Sequence, residues 1–441
     1  EQLVNEIFMK VHARGDIYKG KYTGLYCEGC EAFYLEKDLV DGKCTYHKKA
    51  PKEICEENYF FKLSKYQTQI LAHIKKNPNF IQPTSRRNEV IRFIEEEGIK
   101  DVSVSRPTKL WGLPLPIDNN HVHWTWFDAL LNYISGAPKY WPATIQLLGK
   151  DILRFHAIIW PGILLSAGYP LPQTLFIHGF LTINGQKMSK SLGNAINHFS
   201  LVEQYGLDSL RYFLLREIPF GEDGDFSETA LRERHNGELA NKLGNLVRRI
   251  STLCEKQEEL KKSAVDVKLK INRVKTILDA KRISYPHGGV SASKLEKEKL
   301  VGGSHISLEV QNYDGEITLI EFGDSLEDFS EHLKKAIIPR CINEFSFDKT
   351  LIWIFSFIDY INWYIQKEKP WEIKDETKLK QLLWRLVNAI KDLTILLNPF
   401  IPLSTEEIAK NFDFEINEKT LNSPWAGKNI KTGGILFPKI P

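Results

Sequence analysis

The spacing of apolar residues changes at about residue 200, and this change restricts the folds open to the 441-residue chain. Between residues 121 and 200, short apolar runs such as TIQLLGKDI (144–152) and TLFIHGFLTI (174–183) alternate with a helical pattern, which predicts buried strands in an α/β arrangement. After residue 200 apolar residues recur every three or four positions, which predicts helices. We therefore expect an α/β part followed by an all-α part.

Three other regions carry distinct patterns. The start of the chain, EQLVNEIFMKVHARGDI, predicts an amphipathic helix, and residues 60–100 predict two more, beginning with FFKLSKYQTQILAHIKK. Residues 264–330 interrupt the helical part, and ISLEVQNYDGEITLIEF (306–322) alternates on both sides of Asp314 and Gly315, as a hairpin does. We interpret 264–330 as an insertion.

Composition excludes several classes of protein. The net charge of +3 is compatible with a polyanionic partner without requiring one, and no apolar run approaches the roughly 20 residues of a membrane span. Six cysteines do not suggest a disulfide scaffold, so a reducing, cytoplasmic compartment is expected. Because the first residue is Glu1, we expect the chain to start inside a larger protein or to be one piece of a split protein.

A cluster of metal-ligand residues lies at about residues 21–50. Cys27 and Cys30 are followed, after thirteen residues, by Cys44 and His47, with two residues inside each pair. Three thiolates and an imidazole at this spacing can close a tetrahedron around structural Zn²⁺. The alternative is that these are ordinary thiols and that His47 is a surface residue.

A flexible cationic segment, GQKMSKSLGN, occupies residues 185–194. Lys187 and Lys190 alternate with Ser189 and Ser191 between glycines, so the segment can close over a triphosphate and bring ammonium groups to developing charge. Composition alone would favour a solvated turn, but the full string is much more specific.

KMSKS followed by LGN is a signature of class I aminoacyl-tRNA synthetases, and the chain resembles methionyl-tRNA synthetases of the bacterial type with one zinc knuckle. Family blocks occur in order over most of residues 1–250 and 330–400. They are GLYCEGCEAFY, LVDGKCTYH, SRPTKLWGLPLP, WFDALLNY, GKDILRFHAIIWP, IHGFLTINGQKMSKSLGN, YGLDSLRYFLLREIPFG, LANKLGNLVRR and YIQKEKPWEI.

The resemblance implies that methionine attacks ATP·Mg²⁺ to form methionyl-adenylate and pyrophosphate, and that tRNA(Met) then accepts the methionyl group. Lys190, assisted by Lys187 and Ser189, would contact ATP phosphates, and Asp151 would hold the ribose. The methionine pocket maps onto two family blocks, at Trp126, Ala129, Tyr133, His156 and Trp160. Each of these, taken singly, is more often a core residue.

For the anticodon, the resemblance implies Asn245 and Arg249, four residues apart on one helix face, and Trp371. Amide and guanidinium groups read the edges of splayed bases, and an indole stacks on them. The alternative for Arg249 is a solvated helix charge.

The resulting fold class is a partial Rossmann-type nucleotide-binding domain with a zinc-bearing connective insertion, followed by an anticodon-binding helix bundle. We predict a connective region at 1–120, the second Rossmann half at 121–185, the KMSKS loop and stem-contact region at 186–235, and the helical domain at 236–441. No HIGH-type motif occurs in the 441 residues, so we expect an N-terminal segment or subunit to carry it.

Two alternatives remain. A leucine, isoleucine or valine enzyme is compatible with KMSKS, but WFDALLNY and the short connective region, without room for a large editing domain, disfavour it. A tRNA-binding module without catalysis is compatible with the missing HIGH motif.

Overall fold

The computed structural model describes residues 1–29, 32–34, 39–45, 48–107, 112–183, 185–188, 195–255, 300–302, 306–311, 317–322, 325–427 and 429–440. The chain forms two compact units, Glu1–Gly179 and Phe180–Pro441. Each has its own hydrophobic core.

The first unit begins with the expected amphipathic helix, Gln2–Ala13, which buries Val4, Ile7, Phe8 and Val11. An antiparallel sheet follows, with strands in the order Ala32–Tyr34, Ile17–Cys27, Lys52–Phe61 and Val102–Ser103. The helix predicted from Phe60 was wrong at its start. Phe60 and Phe61 end a strand and pair with Ser103 and Val102, and both aromatic side chains are buried there.

A parallel sheet forms the Rossmann-type part of this unit. Its strand order is Ile81–Gln82, Thr174–His178 and Ile145–Gly149. The prediction that TIQLLGKDI is a buried strand is only half right, because Ile145 is 43% exposed and Leu147 60% exposed while Leu148 is buried. TLFIHGFLTI was also wrong as one strand, since it divides into Thr174–His178 and Leu181–Ile183, in different sheets and different units.

The remaining elements of the first unit surround these sheets. A second antiparallel sheet contains Ser105–Pro107, Asp118–His123 and Pro114–Leu115. The helical elements are Leu63–Tyr66, Gln67–Lys76, Thr84–Glu96, Thr125–Leu130, Asn132–Ser135, Pro138–Tyr140, Lys150–Ile152, Phe155–Ile159 and Trp160–Ala167.

The second unit opens with a small sheet in the order Gln186–Lys187, Leu181–Ile183 and Gly224–Asp225. Two helices, His198–Tyr205 and Leu207–Glu217, replace the single helical run that the sequence indicated. Gly206 separates them because its φ of +83° is a left-handed conformation that favours glycine.

A helix bundle makes up most of the second unit. Its helical elements are Glu228–Arg234, His235–Gly244, Asn245–Glu255, Leu326–His332, Leu333–Ile337, Ile338–Asn343, Phe347–Glu368, Glu376–Leu397, Pro402–Asn411 and Glu418–Leu421.

The hairpin prediction is confirmed: Ile306–Gln311 pairs antiparallel with Ile317–Phe322, and Leu300–Gly302 adds a third strand. Its turn residues lie outside the described part of the chain.

Within the described ranges, no helix is both long enough and apolar enough to cross a membrane.

Candidate functional site

A cluster of aromatic side chains, which we call the aromatic cleft, lies in the first unit where helical segments pack together. Trp126 is on Thr125–Leu130, directly after the strand Asp118–His123, and Tyr133 is on the next short helix. His156 belongs to Phe155–Ile159, a π-helical turn. Such turns often occur at functional sites because the extra residue redirects side chains.

The rings of the cleft are close enough to act together. Trp126 stacks on Phe155 with ring centroids 4.1 Å apart, and meets His156 edge to face at 6.2 Å. Tyr133 also meets His156 edge to face, at 5.6 Å. The sequence prediction did not include Phe155, although it lies directly before His156 in the block that suggested the pocket.

Hydrogen bonds set the tautomer of the neutral His156 ring. Its Nδ1 lies 3.0 Å from the Ile152 carbonyl oxygen and its Nε2 lies 2.9 Å from the Tyr133 hydroxyl. The carbonyl requires a donor at Nδ1, so in the neutral ring Nε2 accepts the Tyr133 proton. Burial lowers the pKa of His156 and raises that of Tyr133, which keeps both groups uncharged at neutral pH.

Trp160 lies at the inner side of the same region, and Ala129 lies on the helix of Trp126. Trp160 is fully buried, 6.3 Å from Tyr133 and 5.5 Å from Trp141 between ring centroids. Its Nε1 has no hydrogen-bond partner among the described residues. Ala129 is half-buried on the helix of Trp126. The structure therefore gathers all five predicted pocket residues in one unit, with Trp160 deepest.

Asp151 lies at the carboxyl edge of the parallel sheet. The strand Ile145–Gly149 ends just before it, and Gly149 pairs with His178 at the end of the neighbouring strand. A Cβ atom on Gly149 would lie only 2.8 Å from the Asp151 Oδ1, so glycine allows the carboxylate to approach the strand end. Open α/β sheets bind their ligands at this edge.

The start of the cationic segment 185–194 is hydrogen-bonded to Asp225, a carboxylate that the sequence prediction did not include. Asp225 Oδ1 accepts hydrogen bonds from the Gly185 amide at 2.9 Å and from the Thr182 hydroxyl at 2.7 Å. Gly185 has φ +74°, which lets the strand Leu181–Ile183 turn back to pair Thr182 with Lys187. The side chain of Lys187, together with Ser189 and Lys190, lies outside the described part of the chain.

Two of the four predicted zinc ligands are described, and both thiols are buried. Cys27 ends the strand Ile17–Cys27 with 4% exposure, and Cys44 has 0% exposure. The Cys44 carbonyl accepts the Lys48 amide at 2.8 Å, so the chain turns back directly after Cys44. Buried soft donors beside such a turn suit Zn²⁺. Cys30 and His47 lie outside the described residues.

The predicted anticodon residues meet at one end of the helix bundle. The Arg249 guanidinium lies over the Trp371 ring, with 5.1 Å from Cζ to the centroid. Both terminal nitrogens of Arg249 lie 3.2 Å from the side-chain amide of Gln366, oriented so that its oxygen accepts. Trp371 is 52% exposed, and Asn245 is exposed one helical turn before Arg249. Arg249 and Trp371 form an open surface, and Asn245 also lines a cavity of about 60 Å³ together with Arg248 and Asn411.

A Rossmann-type unit, followed in sequence by a KMSKS segment and a helical bundle, defines a class I aminoacyl-tRNA synthetase. Residues 1–53 and 35–251 match the family described as tRNA synthetases class I (M). Residues 331–432 match the anticodon-binding domain of tRNA ligases. The chain belongs to the methionyl-tRNA synthetase family.

Individual relatives agree with this assignment. The chain is 37% identical to the methionine–tRNA ligase of Caldanaerobacter subterraneus subsp. tengcongensis, covering 100% of this chain and 64% of the relative. It is 36% identical to that of a Nostoc species, covering 96% and 74%. Mycobacterium tuberculosis methionyl-tRNA synthetase bound by methionyl-adenylate superposes with a TM-score of 0.79 at 30% identity, covering 99% of this chain and 80% of that one. The chain spans 63–64% of the length of several curated relatives.

Proposed function

We propose that this chain is the main part of a cytoplasmic methionine–tRNA ligase, which activates methionine with ATP and transfers it to tRNA(Met). The observation that carries the proposal is the aromatic cleft, in which Trp126, Tyr133 and His156 form one hydrogen-bonded, uncharged wall. A relative whose solved structure is described as bound by methionyl-adenylate matches 99% of the chain.

The cleft suits the side chain of methionine. A thioether is apolar and polarizable, and it gains from contact with aromatic rings. Trp126, stacked on Phe155, cannot rotate freely and therefore offers a fixed indole surface. Because His156 is neutral and its ring nitrogens are engaged, it adds no charge that would favour a polar competitor.

ATP supplies the energy for the first step. A carboxylate oxygen of methionine attacks the α-phosphorus, the bond to the bridging oxygen of the β-phosphate breaks, and pyrophosphate leaves with its Mg²⁺. Asp151 accepts hydrogen bonds from the ribose hydroxyls, while Lys187 and Lys190 neutralise the departing phosphates and the Ser189 hydroxyl donates a hydrogen bond to them. In the second step the terminal ribose hydroxyl of tRNA attacks the methionyl carbonyl carbon and AMP leaves.

The tRNA(Met) anticodon is recognised by Asn245, Arg249 and Trp371. An exposed indole offers a stacking surface to an unpaired base, and the amide and guanidinium read its edge. The Arg249 guanidinium is oriented by both Trp371 and Gln366, so less entropy is lost when a base binds.

Zinc would be held by Cys27, Cys30, Cys44 and His47. Four protein ligands fill a tetrahedron, so the metal would supply folding energy and no chemistry. Chelation is expected to lower the thermal stability of the connective region and to leave tRNA binding by the helix bundle unchanged.

The test is methionine-dependent exchange of pyrophosphate into ATP. We expect exchange when the chain is combined with a HIGH-bearing N-terminal segment from a relative, such as that of Caldanaerobacter, and much slower exchange without it. Trp126→Ala should raise the KM for methionine, while Tyr140→Ala, at an 82% exposed ring, should not. Exchange that depends on leucine, isoleucine or valine would overturn the substrate assignment. No exchange in either preparation, with tRNA binding retained, would favour a binding module.

A further inference from the structure

Trp363 is an exposed tryptophan that none of the roles above uses. It lies on Phe347–Glu368, the helix that also carries Gln366, and 41% of it is exposed. Trp363 and Trp371 are the two tryptophans among the exposed large apolar residues of the described chain. Large apolar groups on a surface often mark an interaction site when they lie together with polar partners.

The pairing of two helices places Trp363 beside the anticodon residues. Lys242 Nζ contacts Asp359 Oδ2 at 2.7 Å, and seven residues further along both helices Arg249 reaches Gln366 at 3.2 Å. Two contacts separated by the same number of residues mean that the helices run side by side in the same direction. Trp363 lies four residues after Asp359, so it is level with Leu246, the residue after Asn245.

We call the residues along these two helices and the turn that follows the bundle stripe. It consists of Asn245, Arg249, Trp363, Gln366, Lys367 and Trp371. Trp363, Gln366 and Lys367 share a helix face because residues three and four apart are neighbours. The stripe has an indole toward each end, with amide and guanidinium groups between them.

The contacts of Trp363 suit a nucleotide, which offers an aromatic base for stacking and a phosphate for an ammonium group. Tyr360 stacks against Trp363 with ring centroids 5.5 Å apart at 26°, which restrains the indole. Lys367 Nζ lies 4.9 Å from the ring centroid. A base that stacks on the indole must displace this ammonium group from the ring, and the displaced ammonium can then contact the phosphate of the same nucleotide, the combination of stacking and charge that single-stranded nucleic acids use.

We propose that Trp363 is a second stacking platform, which takes an unpaired base next to the anticodon in the same RNA loop, and that Lys367 contacts the phosphate of that nucleotide. The proposal rests on the proposed function, because it extends the surface of Asn245, Arg249 and Trp371. The occupant is single-stranded RNA because the surface is cationic at Arg249 and Lys367 and continuous with the matched anticodon-binding domain.

The experiment measures binding of a fluorescent RNA stem–loop, with the anticodon CAU in its loop, to the full chain by anisotropy. Trp363→Ala should weaken binding about 5- to 150-fold, the range for loss of one stacked base, and Trp363→Phe should retain most of the affinity. Tyr140→Ala is the matched control at an exposed ring outside the stripe. Lys367→Gln should lower the slope of log Kd against log salt by about 0.7.

A scan of abasic loop positions then identifies the base. At one position outside the anticodon, removing the base should weaken binding to the unsubstituted chain and leave binding to the Trp363→Ala chain unchanged. If Trp371→Ala weakens binding while Trp363→Ala behaves like Tyr140→Ala, the second platform is wrong and the proposed function stands. If neither Trp363→Ala nor Trp371→Ala weakens RNA binding, the second platform and the proposed function are both wrong. If Trp363→Ala instead abolishes dimers seen by sedimentation and spares RNA binding, the surface joins copies of the chain and the RNA platform is excluded.

Discussion

The aromatic cleft of the first unit and the bundle stripe of the second use the same side-chain types in opposite environments. In the cleft, His156 is 1% exposed and its two ring nitrogens are hydrogen-bonded. In the stripe, Trp371 is 52% exposed and a guanidinium lies over its ring. One region is closed and uncharged, and the other is open and cationic.

The difference follows from the size and charge of what each region would bind. A small apolar side chain is recognised by enclosing it, since specificity comes from shape and from excluding water. A base within a folded RNA can be approached from one side only, so an exposed ring and pre-oriented donors are more useful. Each of the following predictions tests one side of this contrast.

The largest expected effect concerns Lys190, which lies in the second unit and yet is assigned to catalysis. Lys190→Ala should slow ATP–pyrophosphate exchange about 10²- to 10³-fold, because a preorganised cation no longer stabilises the leaving pyrophosphate. Methionine affinity, measured by equilibrium dialysis, should change little. An unchanged exchange rate would mean that Lys190 does not stabilise the leaving pyrophosphate and that the catalytic groups lie in the first unit. Lys410→Ala, at an exposed lysine of the bundle, is the control.

The next effect concerns the open surface. Trp371→Ala should lower the rate of tRNA charging at limiting tRNA by about 10-fold or more, since a stacked base is worth about 1–3 kcal/mol. Adenylate formation, followed by pyrophosphate exchange, should stay close to the unsubstituted level. Equal losses in the two assays would mean that Trp371 supports the fold and not RNA binding.

Acid should destabilise the first unit through a buried histidine that lies outside the cleft. Burial lowers the pKa of His123 from 6.5 to about 4. Its Nε2 lies 3.1 Å from Asn5 Oδ1, and its buried Nδ1 has no acceptor among the described residues. Between pH 6.5 and 4 the unfolded chain binds more protons, so the free energy of unfolding falls as pH falls, by at most about 3 kcal/mol.

Calorimetry at pH 7 and at pH 4.5 measures this loss. His123→Gln, which retains a donor for Asn5, should show a smaller drop in thermal midpoint than the unsubstituted chain. His198→Gln, at an exposed histidine, should show the same drop as the unsubstituted chain. A drop that His123→Gln leaves unaltered would assign the acid sensitivity to other groups.

The smallest effect concerns a single hydroxyl in the cleft. Tyr133→Phe removes the donor to His156 Nε2 and should raise the KM for methionine about 5-fold, because a net hydrogen bond contributes about 1 kcal/mol. Tyr140→Phe is the control. If KM is unchanged, the hydroxyl does not orient the wall of the cleft. A change in kcat alone would connect it to the reaction and not to binding.

Much of the fold could be predicted, because local patterns carry it. The first helix and the long bundle helices follow from apolar spacing, and the hairpin at 306–322 follows from alternation around Asp314. The errors lie where local pattern and tertiary packing compete. Phe60 and Phe61 look helical in sequence but complete a strand, and TLFIHGFLTI serves two sheets.

The candidate site divides in the same way. Family blocks indicated Trp126, Tyr133 and His156 as individual residues, and the structure brings them together. Phe155, Asp225 and Gln366 were missed, because their roles arise from contacts with residues distant in sequence or from a π-helical turn. Of these, Phe155 alone had a sequence signal, its position beside His156.

The amino-acid sequence by itself determined the family, the α/β-then-helical order and the residue types available for chemistry, because spacing and motif strings are local properties of the chain. Tertiary structure alone decided the tautomer of His156, the burial of Trp160 and the alignment of Trp363 with Leu246. Those properties depend on which segments pack together, and packing brings to one place residues that the sequence separates by more than a hundred positions.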